Sequence, residues 1–260
     1  MTSVYFPSMS GIMAGQQQVD VIANNLANLS TTGFKAARAQ LVSLPSQRSE
    51  IARAGEAVLG PVDLGGGVML GAVTRQFTTG PIQVTGNPLD LAIVGDGATF
   101  FAVRRRDGTV AYTRSGALSI DANGQLVTAD GAILEPPITL PPGARIDHVD
   151  AQGRIYAVQG SANAPTVVGQ LQLVRFPNPN GLLALGNGQF SATPAAGQPE
   201  VGTPGAPGWP TIGSGMLEAA NVDLATEMTQ LIIAQRAYVA NIRALQTTDE
   251  MVALAIQTRS

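Results

Sequence analysis

From Leu224 to Ile256 one register runs without a break. Leu224, Met228, Leu231, Gln235, Tyr238, Ile242, Leu245, Asp249, Val252 and Ile256 recur at alternating steps of four and three. A 4-3 repeat puts its members on one stripe of an α-helix, and a stripe this persistent needs a partner helix along its length. At 1.5 Å per residue the helix spans roughly 50 Å. An ordinary amphipathic helix is the competing reading, but helices beyond about 25 residues are uncommon in globular domains. Asn221 and Asp223 are the candidate N-caps.

The opposite end of the chain repeats the pattern. Met9, Ile12, Gln16, Val19, Ala23 and Leu26 alternate steps of three and four, with one polar break. This predicts a helix from about residue 7 to residue 29, with Pro7 and Ser8 as start residues and a length of roughly 35 Å. For two such helices to pair, the two ends of the chain must meet. Whatever lies between them is an insertion.

That insertion reads as β. From Thr74 to Gly215 turn dipeptides recur: Asp96-Gly97, Asp107-Gly108, Asn123-Gly124, Asp130-Gly131, Gln152-Gly153, Asn180-Gly181 and Asn187-Gly188. Short apolar or alternating runs lie between them, such as LAIVG (91–95), TFFAVRR (99–105), QLVTA (125–129) and GRIYAV (153–158). Their spacing is that of antiparallel strands. The stretches 43–71 and 193–215 are rich in polar residues, Gly and Pro and read as extended connectors. Trp209, inside the second, is expected to anchor it on the β body.

The expected fold class is therefore α+β. Long N- and C-terminal helices pair as a coiled-coil-like domain, and a mostly antiparallel β domain is inserted between them. The expected division is 1–34 with 217–260 as the helical domain, 35–73 as an extended linker and 74–216 as the β-rich domain.

Catalytic constellations are missing from the sequence. There is no cysteine, which removes disulfides, thiolate chemistry and Cys-ligated metals. The single histidine, His148, stands between Asp147 and Val149 near Asp150 and reads as a surface residue, since no further nitrogen or sulfur ligand is nearby. Gly65-Gly66-Gly67 lacks the Lys-Ser/Thr of a phosphate loop. No catalytic, cofactor or metal site is expected, and the protein is not expected to be an enzyme. Charged residues make up 13% of the chain and the net charge is -3, so no basic face for nucleic acid exists. Arg104-Arg105-Arg106 precedes Asp107-Gly108 and reads as a hairpin shoulder. The N-terminus lacks the basic and apolar regions of a cleavable secretory signal, and no window is apolar enough to span a membrane.

What remains is self-assembly. Second faces of the helices are also apolar or small, with Ile22 and Leu29 on the first and Ile232, Ile233, Ala237 and Ala244 on the second. Helices with more than one such face pack in a larger array, and heterologous packing that does not close gives a filament. The expected subunit-interface seam comprises Met9, Ile12, Val19, Asn24, Asn25, Leu26 and Asn28 on the first helix. On the second it comprises Leu224, Met228, Leu231, Gln235, Tyr238, Ile242 and Leu245. The asparagines, poor interior helix residues, are expected to bond between packed subunits. Ser30-Thr31-Thr32-Gly33 stops the first helix. Thr32, Gly33 and Phe34 then form a hinge, with Phe34 anchoring the outgoing chain.

VIANNLANLSTTGFK (21–35) strongly resembles the N-terminal segment of the flagellar rod and hook family. Residues 217–257 resemble the C-terminal helix of the same family. ATFFAV (98–103), AYTRSGALSIDANGQLVTADGAIL (111–134) and VGQLQLVRFPNPNGL (168–182) resemble its middle region. Within the family, the length, the full middle region and the 43–71 segment favour the distal rod over proximal rod or hook-type subunits. The resemblance implies a homo-oligomeric helical tube, with helices inside around an export channel and β domains outside. It implies a drive shaft across the periplasm. Its partners would be proximal rod proteins below, hook protein above, and the peptidoglycan-layer and outer-membrane ring proteins around it. Export would proceed uncleaved through the flagellar type III apparatus.

Overall fold

The computed structural model describes residues 5–49, 62–159 and 164–258. The 50–61 part of the connector expected at 43–71 lies outside the described residues. The described chain has a helix at each end and mostly antiparallel sheet between them. It divides into two compact units, each discontinuous in sequence. One comprises residues 1–27, 37–74 and 223–260, and the other residues 28–36 and 75–222.

The first unit holds both helices, α1 (Tyr5–Ala27) and α2 (Leu224–Gln257). α2 starts where its cap requires: Asp223 has extended backbone and its carboxylate accepts the Thr226 N–H at 3.0 Å. The helices run antiparallel and in contact. Gly11 faces Asn241 and Gly15 faces Tyr238, while Asn25, at the other end of α1, bonds Glu227 near the start of α2. A Cβ on Gly11 would sit 2.7 Å from Asn241 Nδ2, so a side chain there would require the Asn241 carboxamide to move aside. The strand Ala37–Ser43 pairs with Val68–Arg75 in a two-stranded sheet. It runs back beside α1, from Ala37 at Asn25 to Val68, whose N–H donates to Ser10 Oγ. The short strands Gln47–Ser49 and Val62–Leu64 pair antiparallel.

The second unit is built on a nine-stranded sheet around the strand Thr99–Arg104, which pairs antiparallel with Val110–Thr113, Ile133–Glu135 and Leu173–Arg175. Its sequence, TFFAVR, is almost continuously apolar because both faces are covered. Phe101 and Val103 enter one core with Leu91, Leu126, Leu134, Ile155 and Leu173. Phe100 and Ala102 point the other way, into a second core with Tyr112, Val174, Phe176 and Phe190. Edge-to-face ring contacts organise the second core, Tyr112 against Phe176 at 4.8 Å and Phe100 against Phe190 at 5.9 Å. The hairpin after this strand turns at Gly108, with φ of 83°, as the Asp-Gly pair predicts. A three-stranded antiparallel sheet, Ala144–Val149, Arg154–Gln159 and Thr166–Gln170, completes the body. Trp209 packs against the first core and under the Arg175 guanidinium, at 4.9 Å from ring centroid to Cζ, which anchors its loop.

Candidate functional site

The helices carry the first site. On α2 the covered line is Glu227, Leu231, Ala234, Tyr238, Asn241, Leu245, Thr248 and Val252, again at steps of four and three. Of the expected seam, Leu231, Tyr238, Ile242 and Leu245 are half-buried, whereas Leu224, Met228 and Gln235 are exposed. α1 behaves alike. Gly15, Ile22 and Asn25 are buried; Ile12, Val19 and Leu26 are half-buried on the flank; Met9 and Asn24 are exposed. On α2 the covered line shares Leu231, Tyr238, Leu245 and Val252 with the apolar repeat and misses the others, while on α1 Ile12, Gln16, Ala23 and Leu26 each lie one residue beyond Gly11, Gly15, Ile22 and Asn25. The reason is size. Gly15 and Ala234 let the backbones come together, and large apolar residues are displaced to either side.

Asn25 shows what one of the motif asparagines does. It is fully buried. Its Nδ2 donates to Ala37 O and its Oδ1 accepts from Ala37 N, both at 2.8 Å. The carboxamide thus behaves as a neighbouring strand would and fixes the start of Ala37–Ser43 against α1. The same Nδ2 donates to Glu227 Oε2 at 3.3 Å, and Arg38 approaches Glu227 Oε1 at 3.2 Å. Expected among the amides that reach a neighbour, Asn25 is instead engaged within the chain. Asn24 is exposed, and Asn28, half-buried, accepts the Thr31 hydroxyl.

The second site lies where the chain passes into and out of the β unit. Thr32, Gly33 and Phe34, the expected hinge, are held there. Gly33 has φ of 68°, donates its N–H to Glu218 O at 2.8 Å, and leaves no room for a Cβ, which would stand 2.6 Å from Ser115 N. Phe34 is buried, and Thr32 Oγ1 bonds Ser115 Oγ. Beside them lies a fully buried charge cluster. Glu218 Oε1 accepts from Lys35 Nζ at 2.6 Å and from Gly80 N at 2.9 Å, and Oε2 accepts from Arg114 Nε at 2.8 Å. Lys35 also donates to Thr78 O, and Arg114 to Asp96 O and Thr99 O. All three side chains are wholly shielded from solvent. Burial pulls the Lys35 ammonium below its usual range; Glu218 opposes that shift and Arg114 reinforces it. Asn221 ties the same passages together, accepting from Ala36 N and donating to Gln76 O.

Sequence reasoning missed Lys35, Arg114 and Glu218, and gave Asn221 only as a candidate N-cap, a role that Asp223 takes. The available signal was charge scarcity. In a chain with 13% charged residues, Arg114 stands within AYTRSGAL where alternation turns inward. His148 is exposed, stacked on Tyr156 at 4.5 Å with its Nδ1 2.8 Å from Asp147, in agreement with a surface role.

Two helices from opposite chain ends, paired antiparallel, with mostly antiparallel sheet between them in sequence, define an α+β chain built on its two ends. Three family models fit this layout: "Flagella basal body rod protein" over residues 8–35, "Flagellar hook protein FlgE/F/G D1 domain" over 92–157, and "Flagellar basal body rod FlgEFG protein C-terminal" over 214–258. The chain is 40% identical to a flagellar basal-body rod protein FlgG of Agrobacterium fabrum, covering 94% of this chain and 95% of the relative. It is 40% identical to the FlgG of Caulobacter vibrioides, over 96% and 97%. Against the FlgF rod protein of Caulobacter vibrioides the identity is 33%, over 99% and 98%. The chain belongs to the flagellar basal-body rod protein family, and it is a structural subunit of the rod.

Proposed function

We propose that the chain is the distal-rod subunit, self-assembling into a hollow helical tube that transmits motor torque to the hook and encloses the export channel. The observation that carries the reading is the uncovered apolar surface of the helical unit. Phe6 (55% exposed), Met9 and Met13 (60%) line one side of α1, and Ile232, Ile233, Met251 and Leu254 stand out from α2. A single soluble subunit gains nothing from such a face, whereas a subunit in an array covers it. In this reading α1 and α2 continue into coiled-coil-like packing and form the inner tube, and the β unit forms the outer layer. Proximal rod proteins lie below, hook subunits above, and the peptidoglycan-layer and outer-membrane rings around it in the periplasm. The chain arrives uncleaved through the flagellar type III export apparatus. Its role is mechanical, without catalysis or cofactor. The greater identity to FlgG than to FlgF of one organism supports the distal position. The substantial FlgF similarity keeps a proximal rod or hook-type axial subunit as the alternative.

The test is electron microscopy of purified protein, paired with motility of a strain lacking the native gene and supplied with variants. Tubes and restored motility are expected. Leu231→Asp, Ile242→Asp and removal of residues 1–30 should each abolish both while the β unit stays folded. A chain that restores motility without its first 30 residues overturns the reading.

A further inference from the structure

Three Asn-Gly steps occur in the chain, at 123–124, 180–181 and 187–188. Such a step is chemically reactive, because the glycine nitrogen can attack the asparagine side-chain carbon with no side chain of its own in the way. Whether it does so depends on how the nitrogen and the carboxamide are held. At the first step both are held. Gly124 N donates to Asp121 O at 3.0 Å, and Asn123 Nδ2 donates to Asp121 Oδ2 at 3.2 Å. At the second, Gly181 N donates to Asn178 O at 3.1 Å, inside the single 3-10 turn Pro179–Gly181. That glycine is pressed on the backbone beside it, where a Cβ would stand 2.5 Å from the Ala195 carbonyl carbon.

The third step is open. The strand Leu183–Gly186 pairs with Gln189–Ser191, and Asn187 and Gly188 are the two residues of the turn between them. Both have left-handed backbone, at φ of 51° and 67°, as a type I′ turn requires. Asn187 is exposed, and among the described residues neither its carboxamide nor the Gly188 N–H makes a hydrogen bond. A Cβ on Gly188 would meet nothing within 4 Å. Only the Gly188 carbonyl is held, by the Thr113 hydroxyl at 3.0 Å, and it takes no part in the attack. Leu183–Gly186 lies at the edge of its sheet and is exposed along its length, so the tip of this hairpin opens at little cost. Asn187 also lines a recess of about 320 Å³ with Arg105, Arg106, Asp107, Asp130 and Ala132. Asp107 there is engaged by Arg105 and Thr109, and Asp130 by Thr128 and Gln189. Arg106 has no ion pair among the described residues.

We infer that Asn187 is the residue at which this chain deamidates spontaneously. The Gly188 nitrogen gives its proton to water and bonds to Asn187 Cγ. The Cγ–Nδ2 bond breaks, and Nδ2 leaves as ammonia. The resulting succinimide takes up one water, which opens either of its two ring C–N bonds and leaves an aspartate or an isoaspartate. Water is the only co-reactant, and nothing is oxidised or reduced. Either product adds one negative charge in the recess that holds Arg106, and the cation favours that charge as it forms. The isoaspartate also lengthens the backbone of a turn that has only two residues. Older copies of the chain therefore carry more of the acidic form than new ones.

The full-length protein is kept folded at mildly alkaline pH, and a second sample is kept in urea. Ion exchange and peptide mass spectrometry follow the conversion, which makes the protein more acidic and raises its mass by one unit. In the folded protein Asn187 should convert several-fold faster than Asn123 and Asn180, whereas in urea the three should convert at similar rates. Equal rates in the folded protein overturn the inference. So does an Asn187 that keeps its amide while the urea sample converts. A ranking that persists in urea also overturns it, since local sequence and not the turn would then set the rates. Arg106→Gln should slow conversion at Asn187 several-fold in the folded protein and leave the rate in urea unchanged. An unaltered folded rate overturns the part given to Arg106.

Discussion

Lys35 and Glu218, separated by 183 residues in sequence, meet at 2.6 Å with both side chains wholly buried. Arg114 completes the cluster from the middle of the chain, 2.7 Å from the other carboxylate oxygen. Segments before, within and after the β body are thereby joined at one carboxylate. Burying such ions is costly, and breaking the set is costlier still, because two cations would remain without a counter-charge. Glu218→Gln should therefore lower the unfolding free energy of the β unit by about 3 kcal/mol or more. Lys35→Met, which leaves Arg114 and Glu218 paired, should cost clearly less. Denaturant unfolding followed by Trp209 fluorescence measures both, and equal losses would show that the cluster does not act as one network.

Gly33 and Gly108 form a matched pair for testing the passage out of α1. Both have left-handed backbone, at φ of 68° and 83°. A Cβ on Gly108 meets open space, whereas one on Gly33 strikes the backbone at Ser115. Gly108→Ala should cost about 1 kcal/mol from backbone strain alone. Gly33→Ala should cost about 2 kcal/mol beyond that, since neither backbone can yield. Similar midpoints for the two variants in thermal unfolding would refute the clamp.

Asn25 offers a test by charge. Asn25→Asp keeps an acceptor for Ala37 N but removes the donor to Ala37 O and sets a carboxylate against buried Glu227. Asn25→Ala only leaves groups unpaired, at about 1–3 kcal/mol. The aspartate variant should be the less stable of the two at neutral pH, and the gap should narrow as the medium is acidified. Helical circular dichroism through denaturation reads the difference. A more stable aspartate variant would mean that Glu227 does not feel residue 25.

Asp223 caps α2, and hydrogen bonds from the Thr226 side chain and backbone hold its carboxyl below the ordinary value of 3.8. A depressed carboxylate pKa contributes stability above its unfolded value and loses it as pH falls through the folded one. Hydrogen exchange at the Thr226 amide should accordingly lose protection on acidification below 3.8, relative to amides mid-helix. Asp223→Asn, which caps without titrating, should abolish that dependence. An unchanged pH profile in the variant would rule out the carboxylate as its source.

Much of this architecture was legible in periodicity. The 4-3 repeat located both helices, and Asp-Gly at 107–108 located a hairpin turn. Apolar spacing, however, marks where hydrophobic atoms fall and not where backbones come closest. Leu231 and Tyr238 were found because they belong to both lines, whereas Glu227 and Ala234, which lie on the covered line, were not. Asn25 looked like surplus polarity in a helix until Ala37 was seen to need a strand-like partner. Lys35, Arg114 and Glu218 gave no local sign of one another, because each lies in a different part of the chain.

The sequence by itself determined the elements: two long helices at the ends and strands punctuated by glycine turns between them. These follow from local steric rules and side-chain periods, which act over a few residues. Only the tertiary structure decided which helix faces are covered, that residues 28–36 belong with the β body, and that one carboxylate holds two cations in its interior. Such outcomes depend on close approach and on burial, and a charged group's partner is set by where the backbone brings it, not by its neighbours in sequence.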